Sequence, residues 1–100
     1  MSNDDFDRQF GQLIDRFVQF ANEQGQAAGA APHMTGTALL FAAARFNAYL
    51  LARDAGTPER YAARRDEALE HFRVQFERMM GDNLADFANH FDHYVSPGAA

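Results

Sequence analysis

The sequence contains no cysteine and no lysine, and it has only two serines. Without cysteine it can form no thiolate zinc site, iron–sulfur cluster, disulfide or cysteine nucleophile. Without lysine it has neither a Schiff-base amine nor a phosphate-loop lysine. The serines, Ser2 and Ser96, lie near the chain ends, where a buried, base-activated nucleophile is not expected. These absences predict that the protein is not an enzyme and that it has no cofactor.

Long apolar runs and an excess of positive charge are also missing. No window approaches the roughly 18 unbroken apolar residues of a membrane span, so a membrane partner is not expected. The net charge of −5 argues against nucleic acid, which needs a basic face. The local cluster of Arg60, Arg64 and Arg65 is diluted by neighbouring acids and is typical of a solvated helix surface. Residues 1–5 are acidic where a secretory signal would be basic, which predicts a soluble protein that is not secreted.

The sequence is rich in apolar residues at helical spacing, with 47% hydrophobic residues and 10 phenylalanines. Residues three and four apart share one face of an α-helix, so each such series is one apolar stripe. The stripes are Phe6–Phe10–Leu13–Phe17–Phe20, Leu69–Phe72–Phe76–Met79 and Leu84–Phe87–Phe91–Tyr94. They predict an all-α fold, an up-and-down bundle of three long helices plus a short fourth. One hundred residues fit a single domain.

Local signals set the expected limits of these helices. The first begins at Asn3 or Asp4, where acidic residues suit the positive end of a helix dipole. The third begins at Pro58, which follows the capping residue Thr57. It is expected to end before Gly81, so that a separate fourth helix follows. The expected helices cover residues 3–23, 37–54, 58–80 and 83–94.

Two segments are expected to lie outside the helices. Residues 25–36 contain three glycines and Pro32, which break the helical period. They predict a flexible loop, and a lid or docking segment is the alternative reading. Residues 96–100 read as a frayed tail.

The second helix is apolar nearly all round, which is unusual for a surface helix. Phe41 and Tyr49 are expected to point away from its main apolar face. Apolar surface left over on a small domain usually marks an interface. We therefore predict a non-enzymatic interaction module, either a homodimer or an adaptor that docks on a larger protein, with Phe41 and Tyr49 at the interface.

A polar pair suggests an alternative function. Asn47 falls between two apolar sides of the second helix, and Arg65 falls inside the apolar arc of the third. If these helices are antiparallel, the two residues are level with one another near the open end of the bundle. An inward arginine and asparagine could bind a small anionic ligand, because the guanidinium offers a planar fork of donors. The simpler reading is that Arg65 reaches solvent and Asn47 bonds to the backbone.

Metal binding has only weak candidates. Asp86, His90 and His93 share one side of the expected fourth helix, and such residues can ligate a divalent ion. A structural zinc site needs four ligands, whereas this exposed helix face offers at most three. We therefore predict no metal site.

Two short sequence motifs resemble those of a known family. They are FAAARFNAY, at residues 41–49, and DNLADF with FDHY, within residues 82–94. The chain resembles a small family of short bacterial helical proteins that carries a domain-of-unknown-function label, over most of residues 5–94. That family has no assigned activity, so the resemblance implies a bacterial, cytoplasmic helical protein and assigns no role to any residue.

Overall fold

The computed structural model describes residues 3–95, and every regular element among them is an α-helix. Helix α1 covers Asn3–Ala27, α2 Pro32–Ala55, α3 Pro58–Asn89 and α4 Phe91–Tyr94. The predicted all-α class is thus confirmed. The chain divides into two compact units, Met1–Asp54 and Ala55–Ala100. The predicted single domain stays a prediction, and the predicted frayed tail at residues 96–100 lies outside the described residues.

The link between α1 and α2 is much shorter than predicted, because only residues 28–31 lie outside the helices. The expected loop over residues 25–36 was therefore wrong in extent. Gly29 has φ 65°, the left-handed conformation that closes a helix at low cost. The amides of Gly29 and Ala30 donate to the carbonyls of Gln26 and Gly25, which is a Schellman motif. Pro32 opens α2, because its missing N–H costs nothing in the first turn.

Within the first unit, α1 and α2 approach closely beside this turn. A Cβ atom added to Gly25 would lie 2.5 Å from Oγ1 of Thr35. Gly25 is itself buried. A groove of about 310 Å³ lies alongside, and residues from Val18 to Leu39 line it. The close contact between α1 and α2 therefore depends on the absence of a side chain at Gly25.

In the second unit, α3 begins as predicted but ends later. Oγ1 of Thr57 accepts a hydrogen bond from the Arg60 amide at 3.2 Å, and Pro58 follows the cap. The helix continues through Gly81, which was wrongly expected to end it. A mid-helix glycine costs about 1 kcal/mol relative to alanine, and α3 continues through Gly81 despite that cost. The break comes at His90, with φ −130° and ψ 36°, and α4 has only four residues.

The apolar stripes lie on these helices largely exposed. Among the described residues, Ala55 is the only buried hydrophobic residue. The exposed large hydrophobic side chains range from 37% exposure at Phe72 to 68% at Leu69. The first stripe lies on α1 as predicted, whereas the last stripe runs from α3 across the break at His90 into α4. The packing of the helices into an up-and-down bundle stays a prediction.

Candidate functional site

One surface of α2 carries a regular alternation of aromatic and basic side chains. Phe41, Arg45, Tyr49 and Arg53 follow one another in steps of four. We call these four residues the arginine–aromatic stripe. The guanidinium carbon of Arg45 lies 5.2 Å from the ring centroid of Phe41, and that of Arg53 lies 5.9 Å from the centroid of Tyr49. Both distances fit a cation–π interaction.

The stripe lies on the opposite side of α2 from three residues that are partly covered. Asn47, Leu50 and Leu51 are half-buried, and at about 100° per residue they fall across the helix from the stripe. Phe41 and Tyr49 are 62% and 58% exposed. The structure thus places both aromatic residues where an interface would need them. Their role as interface residues stays a prediction.

Alanines fill the positions between the long side chains of this surface. At about 100° per residue they share the face of the stripe, and they are Ala38, Ala42, Ala48 and Ala52. The distance between packed helices falls within about 8–10 Å according to the side chains at the contact. A second helix can therefore come close to α2 on this side.

The charge of α2 differs from that of the other long helices. It has two arginines, Arg45 and Arg53, and one carboxylate, Asp54. By contrast, α1 has five carboxylates and two arginines, and α3 has seven carboxylates and five arginines. Within residues 3–95, no carboxylate forms an ion pair with Arg45 or Arg53. The stripe is a basic surface on an acidic chain, and each of its arginines lies over a ring of its own helix.

The two residues of the predicted anion site belong to different units. Asn47 lies in the first unit, and its side-chain amide donates to the Ala43 carbonyl at 2.8 Å. This bond matches the simpler reading, in which Asn47 satisfies a backbone group. Arg65 lies on α3 in the second unit and is exposed. Their pairing around a ligand stays a prediction.

The C-terminal end of α3 carries a second polar cluster. Oδ1 of Asp86 lies 3.1 Å from Nδ1 of His90, and the Tyr94 hydroxyl donates to Oδ2 of Asp86 at 2.6 Å. The Tyr94 ring stacks on Phe87 with centroids 4.1 Å apart. The Tyr94 hydrogen bond holds the pKa of Asp86 below its usual value, and the same bond raises the pKa of Tyr94.

This cluster differs from the metal candidates that the sequence offered. His93 lies edge-on to Tyr94, with centroids 5.4 Å apart, and Tyr94 rather than His93 bonds to Asp86. Helical spacing could not reveal this, because the backbone break at His90 brings Tyr94 back over the last turn of α3. In residues 3–95, no group of three histidine or acidic side chains is placed to hold a metal ion.

Comparison with known proteins identifies the family of the chain. A family model described as "Protein of unknown function (DUF3144)" matches residues 10–88. The chain belongs to this family. The predicted resemblance to a family of unknown function is confirmed, and the matched region includes the whole arginine–aromatic stripe. No curated protein and no solved structure matches the chain significantly. No helix in the described part of the chain is long and apolar enough to cross a membrane.

Proposed function

We propose that this protein is a non-enzymatic helical interaction module that works as a homodimer in the bacterial cytoplasm. The observation that supports this proposal is the exposure of nearly all large apolar side chains on α1, α2 and α3. Burying apolar surface contributes about 25 cal/mol per Å², so covering these faces stabilises the fold. Large exposed apolar patches on small proteins usually mark interaction surfaces.

The proposal includes the up-and-down packing that the sequence predicts. In that arrangement the phenylalanine stripe of α1 and the stripe of α3 face inward, toward the half-buried side of α2. The outer side of α2, with Phe41 and Tyr49, is then left for a second chain. An adaptor that docks on a larger protein would use the same surface, and the experiment below separates the two cases.

The residue inventory supports a role other than catalysis. With no cysteine and no lysine in the chain, only histidines and carboxylates are left for acid–base work. Asp86 is bonded to Tyr94 and lies beside His90. The acidic net charge disfavours nucleic acid as the partner. Protein partners therefore fit this chain better than substrates or nucleic acids.

The test is the mass of the folded protein in solution. We expect native mass spectrometry and light scattering to give twice the chain mass of 11.2 kDa. Tyr49→Arg should shift the mass to that of one chain, because it replaces an exposed ring with a charge beside Arg45 and Arg53. Gln12→Arg adds the same charge to the polar side of α1 and should leave the dimer intact. Circular dichroism checks that both variants keep their helices.

Two results would argue against the homodimer. If the wild-type protein has the mass of one chain at every accessible concentration, the homodimer is excluded and the adaptor is left as the proposed function. A dimer that Gln12→Arg disrupts as strongly as Tyr49→Arg would show that added charge, rather than the surface of α2, controls association.

A further inference from the structure

We propose that the arginine–aromatic stripe packs against the same stripe of a second copy, with the two α2 helices antiparallel about a two-fold axis near residue 47. This inference rests on the proposed homodimer and adds its surface, register and direction. Homodimers are most often two-fold symmetric, so the surface must be complementary to itself.

The order of the stripe supplies this complementarity. Read from the N-terminus, it runs Phe41, Arg45, Tyr49, Arg53. Reversing it places an arginine opposite each ring, so that Arg45 faces Tyr49 of the second copy and Arg53 faces Phe41 of the second copy. A parallel pairing in register would place arginine against arginine. The alternation therefore favours the antiparallel direction.

The contacts within one chain already show the interaction that the dimer would extend. Arg45 covers the Phe41 ring and Arg53 covers the Tyr49 ring. A guanidinium is flat and stacks on aromatic faces. In the antiparallel pair, each guanidinium lies between a ring of its own chain and a ring of the other. Steps of four residues rise about 6 Å on both helices, so the rings of one stripe and the guanidinium groups of the other match in spacing.

The small side chains let the two helices come close enough for these contacts. In the same register, Ala42 lies opposite Ala52 of the second copy. Both alanines share the face of the stripe. A close helix approach at these positions would support the longer side chains on either side.

Net charge favours α2 over α1 or α3 at the two-fold axis. Each copy carries a charge of −5, so two copies repel one another at long range. Among the long helices, α2 alone has more arginines than carboxylates. Its arginines have no carboxylate partner in residues 3–95, so pairing them with rings across the interface breaks no ion pair.

The test uses single cysteines as position markers, which is possible because the chain has none of its own. Full-length Ala42→Cys and isotope-labelled Ala52→Cys are unfolded, refolded together and joined with a short bis-maleimide. We expect mixed cross-linked dimers in clear excess over either homodimer. In this register two copies of position 42 lie about 15 Å apart along the axis. Ala43→Cys, on the half-buried side of α2, is the matched control and should not cross-link.

The outcomes distinguish this inference from the homodimer itself. Cross-linking of each variant with itself, with no mixed excess, would show a parallel pair and overturn the inference. A wild-type dimer in which the mixture does not cross-link would place the interface elsewhere and would leave the homodimer standing. A wild-type monomer would overturn both proposals.

A second measurement tests the arginines directly. Arg45→Gln/Arg53→Gln should raise the dissociation constant of the dimer by at least about tenfold, because it removes every cation–π contact across the interface. Arg16→Gln, on α1, removes an exposed arginine outside the stripe and should leave the dissociation constant unchanged. An unchanged dissociation constant in the double variant would contradict the alternating contacts.

Discussion

The turn after α1 and the C-terminal end of α3 are held together in opposite ways. At the turn, the stabilising features are backbone geometry and the missing side chain of Gly25, against which Thr35 packs. At the end of α3, they are hydrogen bonds and ring stacking among Asp86, Tyr94 and Phe87. The stability of the turn is therefore sensitive to added atoms, and that of the end of α3 is sensitive to changes in protonation.

The largest effect on stability is expected at Gly25, where an added Cβ atom would collide with Thr35. Gly25→Ala should lower the free energy of unfolding by about 1–3 kcal/mol, the usual cost of overpacking. The new Cβ would meet Oγ1, Cγ2 and Cβ of Thr35 at 2.5, 3.1 and 3.3 Å. Since Thr35 is short and β-branched, it cannot swing clear. Urea unfolding of the full chain measures the change.

Two variants sharpen this prediction. Gly11→Ala makes the same substitution in the same helix, where nothing lies within 4 Å, and should stabilise by about 0.5–1 kcal/mol. Thr35→Ala combined with Gly25→Ala removes the two nearest atoms and should recover most of the loss. Equal effects of Gly25→Ala and Gly11→Ala would show that the helices do not approach at Gly25.

A smaller effect is expected at the residue that turns the chain. Gly29 has φ 65°, so Gly29→Ala should cost about 1–2 kcal/mol, because a side chain disfavours the left-handed conformation. Gly36→Ala is the matched control, since Gly36 lies inside α2 with ordinary φ and open space around it. The control should be neutral or stabilising in the same urea titration. If both variants lose stability alike, the turn does not depend on Gly29.

The smallest effect on stability is expected at the end of α3, and pH should reveal it. The pKa of Asp86 is lowered on folding, so its contribution is present above about pH 4 and is lost as the pH falls through the lowered value. The pKa of Tyr94 is raised, so its contribution is complete below about pH 10 and is lost as the pH rises through the raised value.

Phenol absorbance measures this in a Tyr49→Phe/Tyr61→Phe background, where Tyr94 is the only tyrosine of the sequence. Asp86→Asn should move the Tyr94 titration back toward the ordinary tyrosine pKa, because the carboxylate that accepts the hydroxyl is gone. Asp82→Asn removes a carboxylate of the same helix one turn away and should leave the titration where it is. If Asp86→Asn leaves the pKa of Tyr94 unchanged, the hydrogen bond is not formed in solution.

The sequence predicted the elements better than their ends. Helical spacing and the Thr57–Pro58 start correctly gave the all-α class and the beginning of α3. The ends near Gly25 and Gly81 were misjudged, because a glycine carries no sign of whether it closes a helix or lies inside one. Gly25 lies inside α1 against Thr35, ten residues away, and Gly29 closes the helix. Local rules weigh neighbours three or four residues apart and therefore could not find the contact between Gly25 and Thr35.

The sequence predicted the aromatic residues of the candidate surface but not its arginines. The helical period predicted that Phe41 and Tyr49 point away from the main apolar face of α2, and both side chains are exposed. Their place at an interface stays a prediction. Arg45 and Arg53 formed no part of the sequence prediction, because an arginine next to an apolar run usually reaches water. Their stacking on the rings four residues earlier depends on side-chain conformation. The Tyr94–Asp86 bond was hidden for a similar reason, since it depends on a backbone break.

The four-residue connection between α1 and α2 has a consequence for the order of assembly. Short loops close in about 10–100 ns, and proteins with local contacts fold within microseconds to milliseconds. The hairpin of α1 and α2 should therefore form early and at a rate independent of protein concentration. Pairing of two chains is bimolecular, so refolding should show a fast unimolecular phase followed by a slower phase. The rate of the slower phase should rise with protein concentration.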